Sequence, residues 1–463
     1  MIVDTALRPA DLGPGLERFW ELSGQKLSLL SRRDPGLEAP VHTVQGKYQG
    51  RPWTDWTRGF QYGSALLHFD ATGEERFLEL GRVAAVASMG PHLTDFGVHD
   101  HGFNVVSTYG NLWRLVAEGR APEGPGDRRL YEQALQVSGA VQARRWTTLG
   151  PGRGFIYSFN GPHSLFIDTV RTLRCLALAY LLGQAFRDEA GREVSLLERL
   201  KQHLLLTARH NVYYGEGRDI YDVRGRVAHE ALFNTLDGSY RAPSTQQGYS
   251  PFSTWTRGLA WAVCGFAEQL EYLRFIGDEQ LAPEVLEAAR ATCDFYIEVA
   301  SAADGVPYWD TGAPGLQNLG DWCSRAADPF NSYEPVDSSA AAIAAQGLVR
   351  LGLYLDDASY VAAGLTVART LFQAPYLSED EDHEGLILHG VYHRPNGWDY
   401  VPPGREVPCG EATMWGDYHA RELALCVGRL ARGEPLPVFF GPPRPPRPPV
   451  GAGEQARRVG PPE

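Results

Sequence analysis

Cysteine is sparse and scattered: the chain has six in 463 residues. Cys175, Cys264, Cys293, Cys323, Cys409 and Cys426 include no Cys-x-x-Cys pair, so neither a zinc knuckle nor a dithiol redox centre is encoded. Four of them lie in apolar or helix-like stretches, where a reduced thiol packs as a small hydrophobe. A reducing compartment without disulfides is expected, and hence a cytoplasmic location. No uninterrupted apolar run is long enough to cross a bilayer. The opening residues Met1-Ile2-Val3-Asp4-Thr5 lack the basic and apolar regions of a secretory signal. A Lys/Arg block is also missing before the C-terminal tail, and the formal net charge is −13. Such a surface repels phosphate backbones and anionic lipid, which argues against nucleic acid or a membrane as partner. An anionic sugar is not excluded, because one buried arginine outweighs distant surface charge at short range.

What is present is a core. Hydrophobic residues make up 43% and charged residues 21%, an ordinary globular balance. Helical periodicity recurs along almost the whole length and predicts about twelve helices, over 14–31, 59–71, 75–89, 104–119, 129–144, 168–184, 193–210, 254–275, 283–301, 337–352, 358–373 and 417–431. Strand-like alternation is confined to short pieces such as Gly385 to Tyr392. Short connections (Thr72-Gly73, Gly277-Asp278) alternate with long ones rich in Gly, aromatics, His and Asp, at 90–103, 211–253, 302–336 and 375–416. Long loops of this kind tend to carry function. Twelve helices in antiparallel pairs with elaborated loops predict an all-α (α/α)6 barrel over residues 1–436, with its site at one mouth. No fixed-period repeat supports a helical solenoid instead. Residues 437–463, with the run Gly441-Pro442-Pro443-Arg444-Pro445-Pro446-Arg447-Pro448-Pro449, read as a disordered, polyproline-like tail.

Three segments carry candidate chemistry. Gly97-Val98-His99-Asp100-His101-Gly102-Phe103 puts three ionisable side chains in a Gly-bounded loop before a helix, and Asp100 is either a turn former or a functional carboxylate. His92, His99 and His101 lack a suitably spaced carboxylate, so no metal is expected there. In Ser164-Leu165-Phe166-Ile167-Asp168-Thr169, Asp168 reads locally as a helix N-cap. A general-acid role would need a nearby second carboxylate or burial to raise its pKa. In Gln246-Gln247-Gly248-Tyr249 and Ser253-Thr254-Trp255-Thr256-Arg257-Gly258-Leu259-Ala260-Trp261, aromatic rings suited to sugar faces accompany a guanidinium suited to a carboxylate. Core packing and a structural ion pair are the alternatives for these residues.

These segments, with Asp337-Ser338-Ser339-Ala340-Ala341 and Trp415-Gly416-Asp417-Tyr418, resemble glycoside hydrolase family 88, the unsaturated glucuronyl hydrolases, in order from about residue 55 to 430. The resemblance implies a six-hairpin barrel enzyme with no cofactor, acting as monomer or homodimer on an unsaturated uronate-containing oligosaccharide. It places the catalytic aspartates at Asp100 and Asp168, and the unsaturated-sugar subsite at His229, Gln247, Trp255, Arg257 and Trp261. Phe159 stands where the family usually has Trp, Gln61 where it has the Trp of Gly-Phe-Trp, and Leu259 where it has Gln. The implied reaction is hydration of a C4=C5 vinyl ether. Asp168 would donate a proton, Asp100 would stay ionised beside it, and Arg257 would meet the uronate carboxylate. An unsaturated galacturonyl or rhamnogalacturonyl hydrolase of the related family 105, another helical-barrel sugar enzyme, and a non-catalytic carbohydrate-binding barrel are the alternatives.

Overall fold

The computed structural model describes residues 1–32, 39–51 and 55–440. Its helices in chain order are α1 (Gly13–Ser31), α2 (Arg58–Thr72), α3 (Glu75–Ser88), α4 (Asn111–Ala117, continuing a π-helical segment Gly102–Gly110), α5 (Asp127–Arg144), α6 (Thr169–Thr172), α7 (Arg174–Leu181), α8 (Leu196–His210), α9 (Thr256–Ile276), α10 (Ala282–Phe295), α11 (Ser338–Leu355), α12 (Ala358–Leu371) and α13 (Met414–Ala431). Every predicted helix has a counterpart, although the 104–119, 168–184 and 283–301 stretches are each divided in two.

Burial sorts these helices into two rings. Helix α9 is buried without a break from Thr256 to Leu270, α11 from Ser338 to Gly352 and α13 from Met414 to Arg429. Helices apolar on every side belong inside. Helix α5, by contrast, buries Tyr131, Ala134, Leu135, Ser138, Gly139, Gln142 and Ala143, one stripe at helical spacing. The inner ring closes as α2, the π segment with α4, α6 with α7, α9, α11, α13 and back to α2, while α1, α3, α5, α8, α10 and α12 pack outside it. This is an (α/α)6 barrel. Close approach in the inner ring needs residues without side chains. A Cβ on Gly102 would lie 2.4 Å from the Thr172 carbonyl oxygen, and one on Gly347 2.6 Å from the Cα of Cys264.

The inner helices begin at one mouth, so the positive dipole ends of α2, α9, α11 and α13 face it, a field that favours an anionic ligand. Short hairpins decorate that mouth. Strands β1 (Pro40–Val44) and β2 (Lys47–Gly50) form one, turning through Gln45 and Gly46 at φ 52° and 75°. Strands β3 (Trp146–Gly150) and β4 (Arg153–Ile156) form another. Strand β5 (Ser164–Phe166) pairs antiparallel with β8 (Glu230–Phe233), which pairs with β9 (Tyr240–Ser244); β6 (Phe186–Arg187) and β7 (Glu193–Val194) make a minimal fourth sheet. The predicted strand at 385–392 is reduced to isolated bridges, Leu377 with Ile387 and Leu388 with Ala412. Side chains help to hold its backbone: Asp417 accepts from the backbone N–H groups of Leu386 and Ile387, and Asp337 from that of Val391.

Residues 437–440, assigned by sequence to the tail, pack on the barrel. Phe439 lies under the Arg174 guanidinium at 5.0 Å, and Phe440 lies 5.0 Å from Tyr272. The Pro-rich run falls outside the described residues.

Charge is buried along the barrel axis. Arg171 of α6 donates to Glu268 of α9 and to Glu422 of α13 (2.8 Å). Gln346 of α11 donates to Glu422, and Arg174 of α7 pairs with Glu268. Burial pushes the Glu422 carboxyl up, but the charges of Arg171, His419, Arg174 and Arg350 more than reverse this and hold it at about 2. A carboxyl lowered on folding stabilises the fold above its unfolded pKa and loses that contribution as pH falls through the folded one. We expect Glu422→Gln to destabilise the fold by roughly 3 kcal/mol at pH 7, because it leaves buried cationic charge uncompensated. The deficit should shrink as pH drops below about 4.5, read from urea unfolding at each pH. A loss at pH 7 no larger than that of a surface Glu→Gln control would contradict this.

Candidate active site

Two carboxyl groups meet at the mouth. Asp100 ends the loop before the π segment, and Asp168 stands between β5 and α6. Gly102 lets these segments touch, and Gln142 clamps them, its Nε2 donating to both the His99 carbonyl (2.8 Å) and Thr172 Oγ1 (2.7 Å). Both carboxyls are buried, yet Oδ1 of each accepts no hydrogen bond. Asp168 does occupy the position before α6, but its side chain caps nothing and its backbone is already helical (φ −56°, ψ −33°). The cap reading of this residue therefore fails on geometry.

Strand register brings His229 to Asp168. The β5–β8 pairing continues into a bond from Ile167 N–H to the His229 carbonyl (3.0 Å). His229 Nε2 then lies 3.5 Å from Asp168 Oδ2. His229 Nδ1 accepts from the Gln246 backbone N–H (3.0 Å), so a neutral ring carries its proton on Nε2, toward Asp168. The other carboxyl has a similar neighbour: His99 Nε2 lies 3.2 Å from Asp100 Oδ1. Burial, then the charge of Arg145, holds His99 well below the usual imidazole range.

Burial, and next the charge of Asp168, push the Asp100 carboxyl well above the usual carboxylate range, against the opposing pull of Arg145. The sequence reading kept Asp100 ionised, whereas burial and the Asp168 charge push this carboxyl toward its protonated form.

The remaining predicted residues divide. Gln247 is half-buried, and its Oε1 accepts from Arg257 Nη2 (2.7 Å). Trp255 lies 4.7 Å from the His229 ring and forms the wall behind it. Trp261 sits deeper, on the axis between Phe103 (4.7 Å) and His419 (5.0 Å). Phe159 is half exposed, 5.8 Å from His99 and 5.3 Å from Phe166, at the edge of the carboxyl pair. The other two departures lie elsewhere. Leu259 is in the core. Gln61 lines a cavity of about 650 Å³ between α1, α2 and α3, with Leu27, Leu30 and Val83, and not at the carboxyls.

Arg257 is buried among protein acceptors, so the direct grip on a substrate carboxylate expected from sequence is not what its geometry offers. Residues that sequence reading passed over also border the site. His393 stands 4.6 Å from Trp398 and is pushed down to about 4 by burial and then by Arg257. Trp56 stacks on Trp415 at 5.0 Å. The loop 375–416 stood out for its aromatics and histidines, but no local spacing singled out His393 within it.

Among the described residues, no group of three or more His, Cys, Asp or Glu side chains is placed to hold a metal ion, and no helix is long and apolar enough to cross a membrane.

No family model matches the chain. It is 30% identical over 407 residues to the unsaturated glucuronyl hydrolase of Bacillus sp. (strain GL1), covering 85% of this chain and 90% of that protein. It is 27% identical over 384 residues to the unsaturated glucuronyl hydrolase of Formosa agariphila, covering 82% and 80%. The crystal structure of an unsaturated glucuronyl hydrolase from Bacillus sp. GL1 superposes with a TM-score of 0.68 at 25% identity, covering 91% of this chain and 98% of that one.

A carboxyl whose pKa rises on folding costs stability once pH exceeds its unfolded value, since the folded state must hold the proton or bury the charge. Asp100→Asn removes that cost. Its melting temperature should exceed wild type, by a margin that grows from pH 5 to pH 8; a constant or negative margin would contradict the burial assigned to this carboxyl.

Proposed function

The chain belongs to the unsaturated glucuronyl hydrolases, glycoside hydrolase family 88, and on that basis we propose that it removes a terminal Δ4,5-unsaturated glucuronic acid from oligosaccharides released by polysaccharide lyases. The observation that carries this reading is the pair of buried carboxyls, each with an oxygen that accepts no hydrogen bond from the described residues, beside a His229 Nε2 that also makes none.

One proton shared by Asp100 and Asp168 is what hydration of a vinyl ether needs. Asp168 delivers that proton to C4, and positive charge develops at C5 and the ring oxygen, facing the carboxylate the transfer leaves behind. Water adds to C5, and its released proton returns to the pair, restoring the starting state. The hemiketal so formed opens, leaving a ketone at C5. The hemiacetal at C1 then expels the remaining sugar with its glycosidic oxygen. One water is consumed, and no carboxylate attacks C1, unlike conventional two-carboxylate glycosidases. His229 Nε2–H and the Gln247 amide orient the uronate, Trp255 backs the sugar face, and Phe159 borders the neighbouring sugar.

The test is a panel of unsaturated disaccharides from chondroitin, heparin, hyaluronan, gellan, ulvan and pectin. The conjugated double bond absorbs in the near ultraviolet, and hydration abolishes that absorbance. Wild type should consume at least one glucuronic member. Asp168→Asn should lower turnover by roughly 10²- to 10⁴-fold, with a melting temperature close to wild type because the side chain caps no helix. Near-wild-type activity of Asp168→Asn, or a lost activity that tracks lost folding, would contradict the assignment.

A further inference from the structure

Both terminal nitrogens of the Arg257 guanidinium are engaged within the protein. Nη1 donates to Asp337 Oδ2 (3.1 Å) and to the Val391 carbonyl, and Nη2 donates to Gln247 Oε1 (2.7 Å) and to the Tyr392 carbonyl (2.7 Å). All four terminal N–H groups are thereby used. The Trp255 and Trp415 rings lie 4.5 and 4.9 Å from the guanidinium carbon, and the residue is only 1% exposed.

Asp337 is fixed as firmly. It caps α11, with Oδ1 accepting from the backbone N–H groups of Ser339 and Val391 and from the Ser339 hydroxyl. Asp337 and Arg257 thus form a neutral, rigid unit that joins α9, α11 and the 391–392 segment.

The consequence falls on Gln247. A guanidinium is donor-only, so the amide atom that faces it must be the oxygen. The NH₂ group then points away from Arg257 and donates to nothing among the described residues. Gln247 itself lies at the His229 ring, its backbone N–H 3.4 Å from Nδ1. A free glutamine amide turns over at little cost, and in the reversed orientation its oxygen would oppose an anion. From this geometry we infer that Arg257 is a positioning residue: with Asp337 it locks the Gln247 amide so that the NH₂ is presented to the carboxylate of the unsaturated uronate. The inference rests on the function proposed above.

Two physical advantages follow. A pre-oriented amide loses less side-chain freedom when substrate binds. Pairing of Arg257 with Asp337 also spares the carboxyl pair. A bare cation at the mouth would pull the pair's pKa down and strip its proton, and the charges acting on Asp100 are those of Asp168 and Arg145, not Arg257.

The test is a double-mutant cycle on KM, using the unsaturated disaccharide that wild type turns over best. Gln247→Ala should raise KM roughly 10- to 100-fold, the effect of losing hydrogen bonds to a charged group, with a smaller change in kcat. Arg257→Lys and Asp337→Asn should each raise KM in the wild-type background and change it by less than about twofold in the Gln247→Ala background. Asp337→Asn keeps both the cap and the guanidinium, so it carries the cycle even if Arg257→Lys fails to fold. Equal effects of Arg257→Lys or Asp337→Asn in both backgrounds would overturn the inference, because Arg257 would then act on substrate without Gln247. A wild type inactive on every unsaturated disaccharide would remove the proposed function and this inference together; an active wild type with an additive cycle would remove only the inference.

Discussion

Everything at the mouth depends on one buried guanidinium. Arg171 lies three residues after Asp168, in the short helix that follows it, and its contacts with Glu268 and Glu422 tie α6 to α9 and α13. Gln346 brings in α11. Tyr418, which donates to Glu422 and accepts from Asn111, brings in α4. Burying charge this deeply is costly unless each member is paired. Here the pairing runs across five of the six inner elements, so a shift of any one helix would leave a charge exposed to apolar surroundings. A four-residue helix could not hold Asp168 in place by its own hydrogen bonds. The knot beneath it does, and the Gln142 clamp and the Gly102 contact set Asp100 against it.

A second constraint shapes the chemistry. The helix termini around the mouth favour anions, which suits a uronate but would by itself drain protons from the carboxyl pair. Burial and mutual repulsion act the other way and dominate at Asp100. Arg257, its charge compensated by Asp337, leaves that balance undisturbed. The site therefore keeps a proton that ordinary carboxyls would lose and accepts an anion that bare carboxylates would repel. Unpartnered buried oxygens are a cost in stability that the surrounding fold carries for function.

The barrel was legible because its helices are long. Periodicity over fifteen or more residues separates the evenly apolar α9 and α11 from the one-sided α5, and the glycines at close contacts agree with that reading. The strands were not legible, because three residues such as Ser164–Phe166 carry no period, and yet their register is what sets His229 against Asp168. The Gln45-Gly46 turn was the available signal for the first hairpin. Asp168 shows the limit of local inference: its place before a helix predicts a cap, and only the tertiary surroundings reveal that its side chain turns toward His229 instead. Arg257 shows the converse. The sequence grouped it with Trp255 and Trp261, of which Trp255 does face the guanidinium, but its partners Asp337, Val391 and Tyr392 lie 80 to 135 residues away. No spacing rule could have shown that its donors were already taken.

The central claim is that water adds to C5 and not to the anomeric carbon. Turnover of an unsaturated disaccharide in D₂O enriched with ¹⁸O, followed by nuclear magnetic resonance and mass spectrometry of both products, tests it most directly. The account predicts one solvent deuterium at C4, loss of the ultraviolet absorbance, and a released sugar that keeps its unlabelled glycosidic oxygen. A uronate product that retains its double bond and carries solvent oxygen at C1 would contradict it.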